Sequence, residues 1–440
     1  MVKYIGGRVL RIRPLYMAVS LNTADQVAVR SGLQNISFSF EEKHIKQRID
    51  RFAVLGTTLA FARANLEPME YSLVIQGGEL GFAANVAGSY SVFDPTAPPS
   101  GYQDGTTIGF FFDKRSQQMV PAAADDIYDH NLELAVMFDP DSNLPYMIRS
   151  YENHPIFGPS TNDLLMMNYT SIQGVQFPRQ FKTIYNNQHL LSNYIADEVI
   201  VNPGLDPTFF DGPAGQEPPA LARNSEYSFA EIGQLSSIWL WIGPYTATLD
   251  TLTATQPFPD LPGVWDLSRD DPLGRRQLVL EVGDAVVVLD APPHQSHLVI
   301  QWVRQTLGKS VTHVFLTHHH HDHALGVADY VAAGSKVIVP VRSKSYYRDI
   351  PDDQFLTYTA EEPFILEDDS MRSYFVDMGE SVLTNDAAYA YITPRCPAVN
   401  SSAVVFDADH ALLTSLPNFD QGTLHKLLVT LARDRVAKTA

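Results

Sequence analysis

The sequence predicts an α+β protein in two parts: a mainly antiparallel β domain with one packed helix, then a domain in which strands and helices alternate. Three observations carry this. The stretch 203–222, PGLDPTFFDGPAGQEPPALA, holds five prolines and three glycines and reads as an exposed crossing, which divides the chain into domains 1–215 and 216–440. Upstream of it, short apolar or alternating runs recur between turn residues; downstream, a hairpin leads into a βαβ pattern.

In the first part, Ser39 followed by Glu42 forms a capping-box signature. Ile45, Ile49, Phe52, Leu55 and Leu59 then fall at helical spacing, predicting an amphipathic helix to about Arg63. The runs 132–138, 144–151, 163–172 and 175–185 predict a curved antiparallel sheet. In the second part, 276–282 and 285–290 flank a Gly283-Asp284 turn and predict a hairpin. Residues 296–307 fit a helix, 312–316 a buried strand, 325–333 a short helix ended by Gly334, and 336–341 another strand. A late hairpin is predicted from 402–406 and 411–415 through the polar turn 407–410.

The chain has 440 residues, room for two or three domains of roughly 150 residues. Hydrophobic residues at 45% and charged residues at 18% describe an ordered globular protein. Thirty-one basic against fifty acidic residues give a net charge of -19, which repels phosphate backbones and anionic headgroups. Nucleic acid and membrane surfaces are therefore excluded as expected partners, leaving a small-molecule substrate; oligomeric state is not readable. Cys396 is the only cysteine, so no intramolecular disulfide forms and a cytoplasmic location is expected. No apolar run approaches the ~18 residues of a membrane-spanning helix.

The chemistry concentrates in one loop, Thr317-His318-His319-His320-His321-Asp322-His323, which holds five of the fourteen histidines. Imidazole is a favoured ligand of borderline divalent metals, and alternate residues of an extended loop point the same way, so His318 and His320 can grip one ion. Asp322 and His323, at the bend into the next helix, can reach a second. A register with His319 and His321 as ligands competes, but the Asp-His pair two residues after His320 favours the first, with His319 and His321 facing away.

This loop resembles the hallmark Thr-His-x-His-x-Asp-His of the metallo-β-lactamase superfamily, and 317–323 match every required position. Leu289-Asp290-Ala291 resembles the place where that family sets a buried aspartate at a strand end to support the loop. The resemblance spans about residues 225–420 and implies an αββα sandwich with one or two metals, usually zinc and sometimes iron or manganese. The N-terminal part is similar, more weakly, to the sheet-rich accessory domain of some members.

The family completes its site with a third histidine before the late hairpin, a bridging aspartate after it, and a final histidine. At those places the chain reads Ile392 to Asn400 and Thr414 to Asp420, with no histidine. Cys396 can supply a thiolate in place of the imidazole, and Asp420 can bridge metals; an ordinary loop role is the alternative for each. His410 falls in the predicted turn, which five strand residues at about 3.3 Å each would hold some 16 Å from the metal edge, so it is set aside. His425 is expected at the surface. His294 and His297 follow the Asp290 strand end and are candidates for substrate contact or proton transfer.

The expected activity is a metal-dependent hydrolase that directs water at an ester, lactone, thioester or amide of a small molecule, with Asp322 orienting the water or taking its proton. Two other readings stand beside it. One is a protein that keeps the fold and binds a small apolar ligand without turnover; the other is a mononuclear, non-hydrolytic oxygenase or lyase.

Overall fold

The computed structural model describes residues 7–17, 31–39, 46–54, 69–76, 82–89, 96–102, 134–187, 189–218, 248–269, 276–293, 295–381, 384–410 and 421–434. The chain divides into two compact units: Met1–His154 with Pro159–Trp239, and Pro155–Gly158 with Leu240–Ala440.

The first unit is built on an eleven-stranded sheet. Its strands are β1 (Gly7–Met17), β2 (Ser31–Ser39), β3 (Lys46–Val54), β4 (Met69–Gln76), β5 (Phe82–Gly88), β6 (Gly101–Tyr102), β7 (Leu134–Phe138), β8 (Pro145–His154), β9 (Gly158–Ile172), β10 (Val175–Tyr185) and β11 (His189–Ala196). They are ordered β6-β5-β4-β3-β2-β1-β11-β10-β9-β8-β7. The four apolar runs between 132 and 185 are strands, as their composition predicts.

Over residues 46–54 the helix expected from Ser39 to Arg63 is replaced by a strand. Ser39 ends β2, and Ile49 and Phe52 of the predicted helix core lie in β3, paired with β2 in the register Ile36 to Ile49, while Ile45, Leu55 and Leu59 lie outside the described residues. Arg48 Nε donates to Asp50 Oδ1 at 2.8 Å, a contact between residues i and i+2 that a strand places on one face. Gln47 and Ile49 are buried on the other face. Ladders to β2 on one side and β4 on the other satisfy the backbone, and this pairing outweighs the local helical spacing.

In the second unit, a seven-stranded sheet contains β12 (Leu252–Thr255), β13 (Val264–Arg269), β14 (Arg276–Val282), β15 (Ala285–Leu289), β16 (His313–Phe315), β17 (Lys336–Pro340) and β18 (Phe355–Tyr358) in chain order. Ladders are antiparallel up to β15 and parallel from β15 to β18. The predicted hairpin is present, with Gly283 at φ +60° in its turn. A second sheet holds β19 (Phe364–Glu367), β20 (Met371–Gly379), β21 (Ala387–Pro394) and β22 (Val404–Phe406).

One core joins the two sheets: Leu280, Val287, Leu289, Phe315 and Ile338 from the first meet Met371, Phe375, Ala388, Ala390 and Ile392 from the second. The strands β15, β16 and β17 are buried on both faces, which is why they read as runs such as AVVVL rather than as alternations. On the outer side of the first sheet lie α1 (Ser296–Trp302) and α3 (Val327–Ala332), with Leu298, Val299, Val327 and Tyr330 buried, while the short α2 (His321–Ala324) sits beyond the end of β15, where the Ala291 amide donates to His323 O. Helix α4 (Gln421–Arg433) sets Leu427 against Val376, Met378 and Tyr389 on the outer side of the second sheet. The layers are α, β, β, α. Residues 411–415, predicted as the last strand, lie outside the described residues. Among the described residues, no helix is long and apolar enough to cross a membrane.

Phe315 and Phe375 face each other across the sandwich with ring centroids 4.9 Å apart, both fully buried. Phe315→Ala and Phe375→Ala are each expected to cost about 3–5 kcal/mol, and the pair less than their sum because they share one cavity. Urea unfolding of the two singles and the double measures both effects.

Candidate metal centre

The site begins where β15 and β16 run out side by side. Their parallel pairing aligns Leu289 with Phe315, so the two strands deliver Asp290 and Thr317 to the same edge. Asp290 takes φ +63°, a left-handed conformation that aspartate tolerates better than most residues. Its carboxylate accepts the Thr317 amide at 2.8 Å and the Thr317 hydroxyl at 3.0 Å, and lies 3.0 Å from His323 Nδ1. Asp290 is thus hydrogen-bonded to the loop at both of its ends.

The Thr317 hydroxyl proton is committed to Asp290, so the 3.2 Å contact between Thr317 Oγ1 and His318 Nδ1 is donated by the imidazole. His318 Nε2 then carries a lone pair, and this buried atom has no hydrogen-bond partner. The alternation expected of the loop brings His318 and His320 together, their rings 4.4 Å apart.

Two groups of potential ligands form, each with donor atoms within 4.8 Å of one another: His318, His320 and Asp409, and Asp322, His323 and Asp409. Asp409 belongs to both. Its Oδ2 lies 3.6 Å from His318 Nε2 and 3.0 Å from His323 Nε2. Asp322 Oδ2 is 3.4 Å from His323 Nε2, while Asp322 Oδ1 is buried without a hydrogen bond.

Burial, reinforced by mutual repulsion, holds the His318 imidazole well below its usual pKa and pushes His320 down to about 3. Both are therefore neutral and able to bind a cation. Burial would also lower His323, but Asp322, Asp409 and Asp290 outweigh it and raise the ring well above its usual range. Asp322 shows the converse: burial raises its carboxyl, and His323 and His320 bring it below the usual range. An arrangement of neutral imidazoles, clustered carboxylates and unpartnered buried donor atoms fits a divalent metal. The nitrogen and oxygen donor set suits zinc, iron or manganese.

Other sequence-predicted residues fare differently. His319 is not in either group; its Nδ1 lies 2.9 Å from Asp386 Oδ1 and its ring stacks on Tyr346 at 3.7 Å. His321 is buried and also outside both groups. Cys396 is exposed, in the connection after β21. The end of β21 that meets the loop is Ala388, whose amide donates to Thr317 O, and Cys396 lies eight residues further along, on the order of 20 Å away. It cannot supply the thiolate. His297 is exposed on α1, and His425 is exposed on α4, as expected of a surface residue. His294 and Asp420 lie outside the described residues.

The residue that sequence reasoning missed is Asp409. The turn 407–410 was expected at the far end of the late hairpin, but β22 runs antiparallel to β21 with Phe406 beside Ala390, so its C-terminal end meets the loop. His410, set aside on the same reasoning, is likewise buried at this edge. The signal was present as Asp407-Ala408-Asp409-His410 directly after a predicted strand. Among the described residues, no third histidine joins His318 and His320 in their ligand group.

A sequence model of the metallo-beta-lactamase superfamily matches residues 270–370, the span from β14 through the histidine loop to the edge of β20. Within the curated proteins, a hydroxyacylglutathione hydrolase of Pseudomonas fluorescens (strain SBW25) is 35% identical over 88 residues, which are 20% of this chain and 29% of that relative. The match thus spans less than a third of the relative's length. Among solved structures, a subclass B3 metallo-beta-lactamase of Bradyrhizobium japonicum overlaps 45% of this chain and 76% of its own at 14% identity and a TM-score of 0.30. A mono-zinc metallo-beta-lactamase from Pseudomonas aeruginosa overlaps 32% of this chain and 63% of its own at 19% identity and a TM-score of 0.24.

Two outcomes are expected. Asp290→Asn keeps the backbone conformation but removes the charge that orients His323, so zinc affinity measured by chelator competition falls about 10–100-fold. The second concerns pH. In metal-free protein the unfolded chain protonates His320 below its ordinary value of 6.5, while the folded protein does so only near 3. Stability therefore falls as pH drops through this window, by up to about 1.4 kcal/mol per pH unit, relative to His320→Asn. Unfolding of both proteins at pH 7, 6 and 5 reads the difference.

Proposed function

We propose that the chain is a metal-dependent hydrolase acting on an ester, lactone, thioester or amide of a small organic molecule. The observation that supports this most is Asp409 standing in both ligand groups, which lets one carboxylate serve two adjacent cation positions. The Pseudomonas fluorescens relative, a hydroxyacylglutathione hydrolase, agrees in reaction type.

His318, His320 and Asp409 would hold one ion, and Asp322, His323 and Asp409 a second. A bound divalent metal supplies a lowered pKa for coordinated water and polarisation of the scissile carbonyl. Asp322 has the atom suited to the proton: Oδ1 is free of hydrogen bonds, and the neighbouring imidazoles keep the carboxyl ionised and ready to accept. Asp290 holds His323 through Nδ1, so that Nε2 faces Asp409. Zinc, as one or two ions, is the proposed metal, with iron or manganese as alternatives. The first ligand group holds two imidazoles and one carboxylate, a small protein ligand set that keeps a non-hydrolytic, mononuclear enzyme as the second reading.

The test combines metal content with turnover. Protein purified without an affinity tag is expected to contain one or two metal ions per chain, lost in the His318→Ala, His320→Ala double variant. The loaded protein should cleave at least one of four chromogenic acyl substrates, an ester, a lactone, a thioester and an amide. Asp322→Asn should lower kcat about 10²–10⁴-fold. Full metal occupancy with no turnover of any class would overturn the hydrolase in favour of the non-hydrolytic reading.

A further inference from the structure

Behind the ligand groups, a chain of buried side chains joins the histidine loop to the turn that carries Asp409. It starts at His319, whose Nδ1 is 2.9 Å from Asp386 Oδ1. The same oxygen accepts the Thr384 hydroxyl at 2.6 Å. The Thr384 carbonyl accepts the Ser381 amide at 2.8 Å and the Ser381 hydroxyl at 3.2 Å. Ser381 Oγ in turn accepts the Thr384 amide at 3.1 Å and lies 3.2 Å from His410 Nε2. Since the serine proton is spent on Thr384, His410 Nε2 is the donor in the last contact. His410 Nδ1 faces two acceptors, Ala408 O at 3.0 Å and Asp407 Oδ1 at 3.1 Å, and the His410 amide donates to Asp407 Oδ2. Each of these side chains is buried; Thr384, Asp386, His319 and His410 expose 1% or less.

None of them belongs to a ligand group. Yet the path ends at both halves of the site: His319 lies between His318 and His320 in the loop, and His410 is the immediate neighbour of Asp409. The loop follows β16 in the first sheet, whereas Asp409 follows β22 in the second, so the sandwich core alone leaves their separation to the fit of two sheets. A ligand set needs tighter control than that, within a few tenths of an ångström. We infer that His319, Asp386, Thr384, Ser381 and His410 form a positioning network that fixes Asp409 at ligand distance from His318 and His320. These are positioning residues: they act on the cation through their neighbours. The inference rests on the metal-site reading above.

The experiment uses the full chain and zinc alone as the probe, with affinity read by competition against a chromophoric chelator. Asp386→Ala and His410→Ala are each expected to weaken zinc binding about 10–100-fold, the range for residues that orient ligands. Because both cut one path, the double variant should be no more than about twofold weaker than the worse single, whereas Asp386→Asn, which keeps an acceptor for His319 and Thr384, should recover most of the affinity. Thr384→Val, close to isosteric, carries the same test if an alanine variant does not fold. Zinc affinities equal to wild type, or losses that multiply in the double variant, would overturn the network. A wild-type chain whose zinc binding is absent or indifferent to His318→Ala with His320→Ala would instead overturn the metal-site reading itself.

Discussion

The grip of Asp290 on its neighbours is the constraint on which the second unit's chemistry depends. One buried carboxylate at the end of β15 takes the amide and hydroxyl of Thr317 at the start of the loop and His323 Nδ1 at its end. A seven-residue excursion is thereby pinned at both ends by one side chain. Everything between inherits its orientation: the Thr317 hydroxyl, with its proton given to Asp290, sets the tautomer of His318, and His323 Nε2 is turned toward Asp409. Such a carboxylate is costly to bury, and three donors are what make it tolerable.

The electrostatics of the site are built by opposing the same two effects at different residues. Burial, reinforced by neighbouring imidazoles, makes His318 and His320 neutral ligands. At His323 the surrounding carboxylates overcome burial, and at Asp322 the surrounding imidazoles do. Without a cation the cluster is held together by these imidazole–carboxylate pairs; with one, the metal takes over the role of the positive charge.

What was legible in the sequence was what local pattern determines. The loop 317–323, the hairpin around Gly283 and the alternating strands and helices from 276 to 341 depend on residues close in the chain, and they stand as expected. The segment around Ile49 was misread because apolar residues at helical spacing also occur by chance, while the partners that make it a strand, β2 and β4, are up to thirty residues away along the chain. Asp409 was missed for a related reason. Its distance from the loop depends on which end of β22 faces the site, a property of sheet register rather than of residue type. The same register removed Cys396 from consideration by placing it at the opposite end of β21.

The division of the ligands between two sheets has a mechanical consequence. His318 and His320 are attached to the sheet of β16, Asp409 to the sheet of β22, and the layer between them is the shared core around Phe315 and Phe375. Any agent that alters the thickness of that core, whether hydrostatic pressure, heating or a cavity, also alters the bite of the site. Cation occupancy is therefore a gauge of sandwich compression, and a tightly held ion would in return act as a rivet between the layers, adding its binding free energy to the cohesion of the fold.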